Sequence, residues 1–336
     1  MLDRTRATRC GDHGAQPQQR SQDCVHQHQH RSDLVDVPDR PPHGRVRKDR
    51  RDCRCPAPSR VDLVTLSRPV AKDLLDGAGL RAKRALGQNF VVDPNTVRRI
   101  ARLSGAAPGT RVVEVGAGLG SLTLALAETG ARVVAVEVDG DLVPLLRTNV
   151  ADIVGVSVVH DDAMTLDWGA LLGEGEWSLV ANLPYNVATP LVADILDSVP
   201  QVTRMLVMVQ SEVAERFVAR PSTAAYGAVS VKTAFWADAR IVGHVPASVF
   251  LPRPNVESSL VEIVRHPPPD TSIDPQSLFA LVRQGFAKRR KMLRGALAGR
   301  VDETQFAAAG IAPTARAEEL GVAEWIRLAR VVGDLR

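Results

Sequence analysis

The alternation that begins at Arg111 constrains this chain most. Arg111–Val115, Val133–Val138, Val154–Val159, Trp177–Ala181 and Met205–Val209 are short runs rich in aliphatic residues, and Ser121–Glu128 and Leu142–Val150 lie between them with helical spacing. Connections of that length join parallel neighbours through crossovers, not hairpins. The pattern predicts an α/β fold with a doubly wound, mostly parallel sheet. Two later runs, Ala239–Val245 and Ser259–Val264, close the strand series. Upstream, Val70–Gly79 reads as a short helix. Asp93-Pro94 reads as the N-cap and first-turn proline of a helix to about Ser104, because proline there gives up only a donor that has no partner. After His266-Pro267-Pro268-Pro269 only helical patterns remain. Residues 64–267 are therefore expected to form the sheet domain and residues 268–336 a small helical one.

Residues 1–63 follow no such pattern. The net charge of +4 originates there: residues 1–60 hold 13 Lys+Arg against 8 Asp+Glu, which leaves 29 against 30 for the rest. An RNA-binding surface on the folded body must then come from local clusters of cations. All four cysteines and five of the eight histidines also lie in this stretch, among Gln, Arg and Pro. Cys53-x-Cys55 with its neighbouring histidines matches no closed zinc module, so no metal is expected. The composition predicts a disordered extension, or an upstream translation artefact with the true start near Val64. No run approaches the ~18 apolar residues of a membrane helix, and the amino terminus lacks an apolar signal core, so a cytoplasmic protein is expected.

The sharpest turn in the alternation is Val113-Glu114-Val115-Gly116-Ala117-Gly118-Leu119-Gly120, between a strand and a helix. Glycines suit a tight turn that a ligand approaches along the backbone. The spacing is G-x-G-x-G, with Ser121 where a dinucleotide fingerprint has its third glycine, which favours S-adenosylmethionine over a pyrophosphate-bearing cofactor. Glu137 closes the next strand, 21 residues after Gly116, where an acid can accept both ribose hydroxyls. After the following strand, Asp161 and Asp162 compete as acceptors for the cofactor's adenine amine. His160 reads as structural.

The fourth strand ends in Asn182-Leu183-Pro184-Tyr185-Asn186. This arrangement sets a carboxamide oxygen, free carbonyls and an aromatic ring around a planar amine. The N6 lone pair of adenine is delocalised and nucleophilically weak. Acceptors on its N–H groups draw the nitrogen toward tetrahedral geometry, and a stacked ring stabilises the growing positive charge. A sulfonium methyl donor needs no metal or side-chain nucleophile, so alignment supplies most of the catalysis.

Taken with Ala85-Leu86-Gly87-Gln88-Asn89-Phe90, Asp162-Ala163-Met164, Phe250-Leu251-Pro252-Arg253-Pro254-Asn255-Val256-Glu257-Ser258 and Phe286-Ala287-Lys288-Arg289-Arg290-Lys291-Met292-Leu293, these motifs resemble, in order, the family that dimethylates two adjacent adenosines near the 3′ end of 16S ribosomal RNA. The resemblance covers roughly residues 64–336. It implies a Rossmann-like class I methyltransferase domain, a helical RNA-binding domain at the carboxyl end, and S-adenosyl-L-methionine as cofactor. The implied partner is 16S rRNA within the immature 30S subunit, met by a monomer with a role in subunit biogenesis. The resemblance puts Asn89, Val91, Gly116, Gly118, Glu137, Val138, Asp162, Ala163 and Asn182 at the cofactor, and Asn182, Leu183, Pro184, Tyr185 and Phe250 at the target base. Val91 replaces the leucine common at its position. Buried chemistry on an adenine requires the base to be flipped out of its stack. Lys83, Arg84, Lys288, Arg289, Arg290, Lys291 and Arg294 are expected to position the RNA. Two competitors share features of this reading: a 23S rRNA adenine methyltransferase of the antibiotic-resistance type, and a non-catalytic RNA-binding assembly factor. Gly87, Leu183 and Asn186 argue against the first, and intact Glu137, Asp162 and Asn182 against the second.

Overall fold

The computed structural model describes residues 66–184 and 186–333. The expectations for residues 1–63 and for Tyr185 lie outside the described residues. In chain order the first half forms α1 (Arg68–Gly77), β1 (Phe90–Val91), α2 (Pro94–Leu103), β2 (Arg111–Val115), α3 (Ser121–Ala127), β3 (Arg132–Glu137), α4 (Val143–Asn149), β4 (Val156–His160), α5 (Trp168–Leu172), β5 (Trp177–Asn182) and α6 (Ala188–Ser198). There follow β6 (Val202–Gln210), α7 (Ser211–Val218), α8 (Ala228–Trp236), β7 (Ala237–Val245), β8 (Phe250–Leu251), β9 (Ser258–Arg265), α9 (Pro275–Ala287), α10 (Leu293–Ala296), α11 (Glu303–Ala308) and α12 (Val322–Gly333).

Seven strands make one sheet in the order β4-β3-β2-β5-β6-β9-β7. Neighbours from β4 through β6 run parallel, while β9 pairs antiparallel with both β6 and β7. This is the doubly wound, mostly parallel α/β fold that the alternation predicted. The central strands read as continuous apolar runs because both of their faces are covered. Val113, Leu179, Ala181, Met205 and Val207 pack toward one layer, where α6 contributes Leu191, Val192, Ile195 and Leu196 at helical spacing. Val112, Val180, Leu206 and Met208 alternate onto the other face, against Val97 and Ile100 of α2 and Leu122 and Leu126 of α3. As expected, Asp93 caps α2, its side chain accepting from the Thr96 N–H with Pro94 at the first turn.

The chain fills β2, β3 and β4 outward and then crosses back to place β5 on the other side of β2. Ligands of open α/β sheets bind in the crevice at the carboxyl ends of the strands at such a reversal. A two-residue ladder that the alternation did not reveal, with Phe90 opposite Leu251 and Val91 opposite Phe250, ties the segment before α2 to the segment before β9. It brings residues 86–91 over that crevice. Beyond β9 the described elements are helical, and their core gathers Leu278, Phe279, Phe306 and Trp325 with Tyr226, Val231 and Phe235 from the α8 region. The Tyr226 hydroxyl donates to the Leu320 carbonyl at 2.9 Å.

Candidate active site

The turn after β2 holds three glycines with left-handed backbone, Gly116 at φ +74°, Gly118 at +58° and Gly120 at +89°. A Cβ at Gly118 would lie 3.1 Å from the Phe90 ring and one at Gly120 2.9 Å from the Leu146 side chain, but it is the left-handed backbone, more than these contacts, that calls for glycine. The Gly118 N–H donates to Glu137 Oε2 at 2.7 Å, and the Asp139 N–H donates to Oε1 at 2.8 Å. The end of β3 is thereby fixed to the turn after β2. Glu137 is buried, and burial pushes its carboxyl above the usual range against the lowering effect of those backbone donors. Each carboxylate oxygen retains capacity for a further donor.

Asn89, Val91, Gly116, Gly118, Glu137, Val138, Asn182, Leu183 and Pro184 all line one cleft at the carboxyl edge of the sheet. Asn182 Nδ2 donates to the Asn89 carbonyl at 2.9 Å, which leaves the carboxamide oxygen as its acceptor. Asn89 Nδ2 in turn donates to the Gly87 carbonyl at 3.1 Å. The Leu183 N–H donates to the Met208 carbonyl at 3.1 Å, fixing the strand end to β6. The Pro184 carbonyl accepts from the Val187 and Ala188 N–H groups at the start of α6.

Four expectations are not met in this geometry. Asp162 and Ala163 do not line the cleft: Asp162 is exposed and its Oδ1 accepts from the Met164 N–H at 2.9 Å, while the Ala163 carbonyl accepts from Trp168 Nε1. A short acid after a strand finds its own backbone donors close at hand. Phe250 is 1% exposed and packs in the core with Val91 and Ile100, because pairing of β8 with β1 directs its ring inward. Lys83 is not available to phosphate, since its ammonium binds Asp139 at 2.6 Å and Asp141 at 2.7 Å. Among the carboxyl-terminal cations Lys288, Arg290, Lys291 and Arg294 are exposed, as is Arg84. Arg289 is exposed too, but it is tied to Glu318 at 2.7 Å and to the Ala224 carbonyl at 2.8 Å.

The cleft also holds residues that motif reading passed over. Glu114 lies at its floor, buried, with Thr123 Oγ1 donating to it at 2.6 Å, and burial pushes its carboxyl up to about 8. An acid inside a strand covered on both faces is itself a signal, because such a group is costly without a task. The Ser121 hydroxyl is buried at the rim without a protein partner, and Gln88 forms part of the wall.

A family model described as ribosomal RNA adenine dimethylase matches residues 79–334. The chain is 49% identical over 273 residues to a protein of Kineococcus radiotolerans called ribosomal RNA small subunit methyltransferase A, covering 79% of this chain and 90% of that one. A Cutibacterium acnes protein of the same name is 48% identical over 277 residues, covering 78% and 91%. Among solved structures, a dimethyladenosine transferase from Plasmodium falciparum superposes with a TM-score of 0.58 at 19% identity, over 70% of this chain and 94% of that one, and shows the fold. The 23S rRNA methyltransferase ErmE gives 0.55 at 25% identity, over 73% and 100%.

Proposed function

Because the chain belongs to the ribosomal RNA adenine dimethylase family, we propose that it dimethylates N6 of two adjacent adenosines near the 3′ end of 16S rRNA, presented by the immature 30S subunit. It is an S-adenosylmethionine-dependent rRNA adenine N6,N6-dimethyltransferase of the small-subunit type. It works as a monomer in the cytoplasm, and among the described residues no helix is long and apolar enough to cross a membrane. The resemblance to small-subunit enzymes at 48–49% identity exceeds that to the 23S enzyme at 25%, which favours the small-subunit substrate.

The cleft fits S-adenosylmethionine on its own chemistry. Two buried acids, Glu114 and Glu137, face it closely enough for Glu137 to add to the burial that raises the Glu114 carboxyl. The lining holds no Lys, Arg or His to balance a pyrophosphate, whereas ribose hydroxyls find acceptor capacity at Glu137. Glycines without side chains form the wall that such a ligand would approach. When bound, the cofactor supplies an activated methyl group on a sulfonium.

The chain's own residues do the rest. Glu137, anchored by two backbone donors, accepts the ribose hydroxyls, while the Gly116–Gly118 backbone and Asn89 hold the remainder. Asn182 keeps its NH2 on the Asn89 carbonyl and turns its oxygen to the target amine, where it accepts an N–H and strengthens that bond as charge develops. Tyr185 supplies the stacking face. Asp162, with one carboxylate oxygen on the Met164 N–H and the other without a protein partner among the described residues, accepts from the cofactor's adenine amine, and Phe250 reaches the base only by leaving its core site. The exposed cations Arg84, Lys288, Arg290, Lys291 and Arg294 attract the RNA backbone, with the helical carboxyl-terminal segment as their platform.

The observation that carries this reading is the meeting of Glu137 and Asn182, ends of two different strands, in one glycine-walled cleft. Transfer of tritium from labelled cofactor to immature 30S subunits, with the modified base mapped, tests it. Label on paired adenosines near the 16S 3′ end is expected. Label confined to 23S rRNA would overturn the substrate, and no label on either RNA would overturn the activity.

A further inference from the structure

Residues 86–89 line the cleft and belong to a strap, residues 83–89, whose own backbone contacts are few. The Leu86 N–H donates to the Lys83 carbonyl at 3.2 Å, the Gly87 N–H to the Arg84 carbonyl at 3.0 Å, and the Gln88 N–H to the Lys83 carbonyl at 3.3 Å. At one end the strap rests on the catalytic strand end. Gly87 has φ +64°, a side chain there would lie 3.0 Å from Pro184 Cβ, and the Asn89 carbonyl receives Asn182 Nδ2. At the other end it is held by two acids, the exposed Asp141, which accepts from Lys83 Nζ at 2.7 Å, and the buried Asp139. Asp139 is 4% exposed, and its carboxylate accepts from Lys83 Nζ at 2.6 Å, Gln88 Nε2 at 2.7 Å and the Asp141 N–H at 3.1 Å. Gln88 Oε1 closes the ring by accepting from the Lys83 N–H at 2.8 Å. The Asp139 N–H is also one of the two donors that fix Glu137.

We propose that Asp139 is a positioning residue of the methyl-transfer site, clamping the 83–89 strap through Lys83 and Gln88 so that the strap keeps the cofactor in the cleft and holds Asn182 in register. This rests on the reading of the cleft as the S-adenosylmethionine site. A buried carboxylate is costly unless its lone pairs are used, and here they are taken up by two side chains of a segment otherwise held by the Lys83–Asp141 ion pair and by Asn182 and Pro184. The geometry assigns Lys83 to cofactor retention and withdraws it from the RNA. Gln88 acts with it, because its amide bridges the strap backbone and Asp139.

The test is cofactor dissociation measured by stopped flow on the full chain, together with steady-state KM and kcat for methylation of immature 30S subunits. Asp139→Ala should speed dissociation about tenfold, the scale of one missing charge-assisted hydrogen bond, and should raise KM for the cofactor more than it lowers kcat. Lys83→Met should move the same two quantities in the same direction by a smaller factor, and Lys83→Arg should restore them. Adding Gln88→Leu to Asp139→Ala should add little, since both act through one carboxylate. A melting temperature that falls while dissociation and the KM-to-kcat split stay at wild-type values would reduce Asp139 to a fold-stabilising group and overturn the proposal. Lys83→Met alters a side chain that is partly open to solvent, so it tests the same clamp if Asp139→Ala fails to fold. Lower rRNA affinity for Lys83→Met, with unchanged cofactor dissociation, would return Lys83 to the RNA and overturn it as well. Wild-type protein that binds no cofactor would overturn the underlying reading of the cleft, and this proposal with it.

Discussion

The rim of the cleft and the basic segment 288–294 are both polar, yet they hold their polar groups in opposite ways. At the rim Glu114, Glu137 and Asp139 are buried, and each accepts from protein donors whose positions the fold has fixed. In the basic segment Lys288, Arg290, Lys291 and Arg294 stand exposed, with no ion pair among the described residues, and Arg289 alone is tied down. The first arrangement suits a ligand of one shape, because its polar groups are oriented before the ligand arrives and little reorganisation remains at the moment of reaction. The second suits a polyanion whose phosphates can be met in many registers with release of counterions. The difference predicts that cofactor binding and RNA binding are separable in this molecule, so that each should be breakable alone.

The largest effect should come from the point where the two functions meet. Asn182→Ala should slow methyl transfer about 100- to 1000-fold, the scale of removing one preorganised polar group from a transition-state site, with rRNA affinity little changed. Single-turnover methylation at saturating cofactor isolates the step, and a rate within about threefold of wild type would show that the rim does not organise the chemistry. Next in size, Glu137→Ala should weaken S-adenosylmethionine binding by about 1.5–3 kcal/mol, as expected when a charge-assisted hydrogen bond is removed. Calorimetry at wild-type affinity would make Glu137 a mere fastener of the glycine turn to β3.

What could be read beforehand divides along the same line. The placement of Glu137 and Asn182 at the cleft was legible because it follows from strand ends and local spacing, and the glycine turn because its backbone conformation requires the residue type. Asp139 was not, since its meaning depends on Lys83 and Gln88, more than fifty residues earlier in the chain and brought near only by the fold. Asp162 looked like a ligand by position, but its own turn offers one of its carboxylate oxygens a closer donor. Phe250 was ambiguous for a related reason: the sequence shows an aromatic beside prolines, while the two-residue ladder with β1 decides which way the ring points. Among the elements, α6 carries a clean apolar stripe, whereas α8, with sequence AVSVKTAFW, mixes β-branched and aromatic residues and has no clear polar face. Arg289 cannot be told from Arg290 by sequence at all, because only the fold brings Glu318 and Ala224 to one of them.

Glu114 offers a smaller and graded test of how the rim is built. Its carboxyl sits at about 8 against an ordinary 4.5, with burial as the main cause. The folded protein therefore holds a proton there that the unfolded chain has already released, so stability of the unliganded protein falls as pH rises from about 5 toward 8. The slope approaches ~1.4 kcal/mol per pH unit for a single such group. Glu114→Gln, which keeps the neutral shape, should be the more stable protein at pH 8, and the gap should close toward pH 5. Thermal melts across that window check it. Parallel curves for the two proteins would mean that the carboxyl is ionised at ordinary pH and that the cleft floor is wetter than its burial implies.

The smallest effect, and the sharpest contrast, lies within the basic segment itself. If exposed and unpaired cations are what meet the phosphates, replacing Lys288, Arg290 and Lys291 together by alanine should flatten the dependence of log affinity on log salt by roughly 0.7–0.9 for each phosphate no longer neutralised. Cofactor affinity should not move, because no residue of that segment is among those that line the cleft. Arg289→Ala should behave differently although it removes the same charge. Its guanidinium holds Glu318 and the Ala224 carbonyl, so its removal should lower the melting temperature by a few degrees, as for a partly exposed ion pair with an added backbone hydrogen bond, while the salt slope stays near wild type. Filter binding of rRNA over a salt series, run beside thermal melts, distinguishes the two. Should Arg289→Ala flatten the slope as much as any one of its neighbours, its tether to Glu318 would have to release on meeting RNA, and the division between committed and available cations would fail at this position.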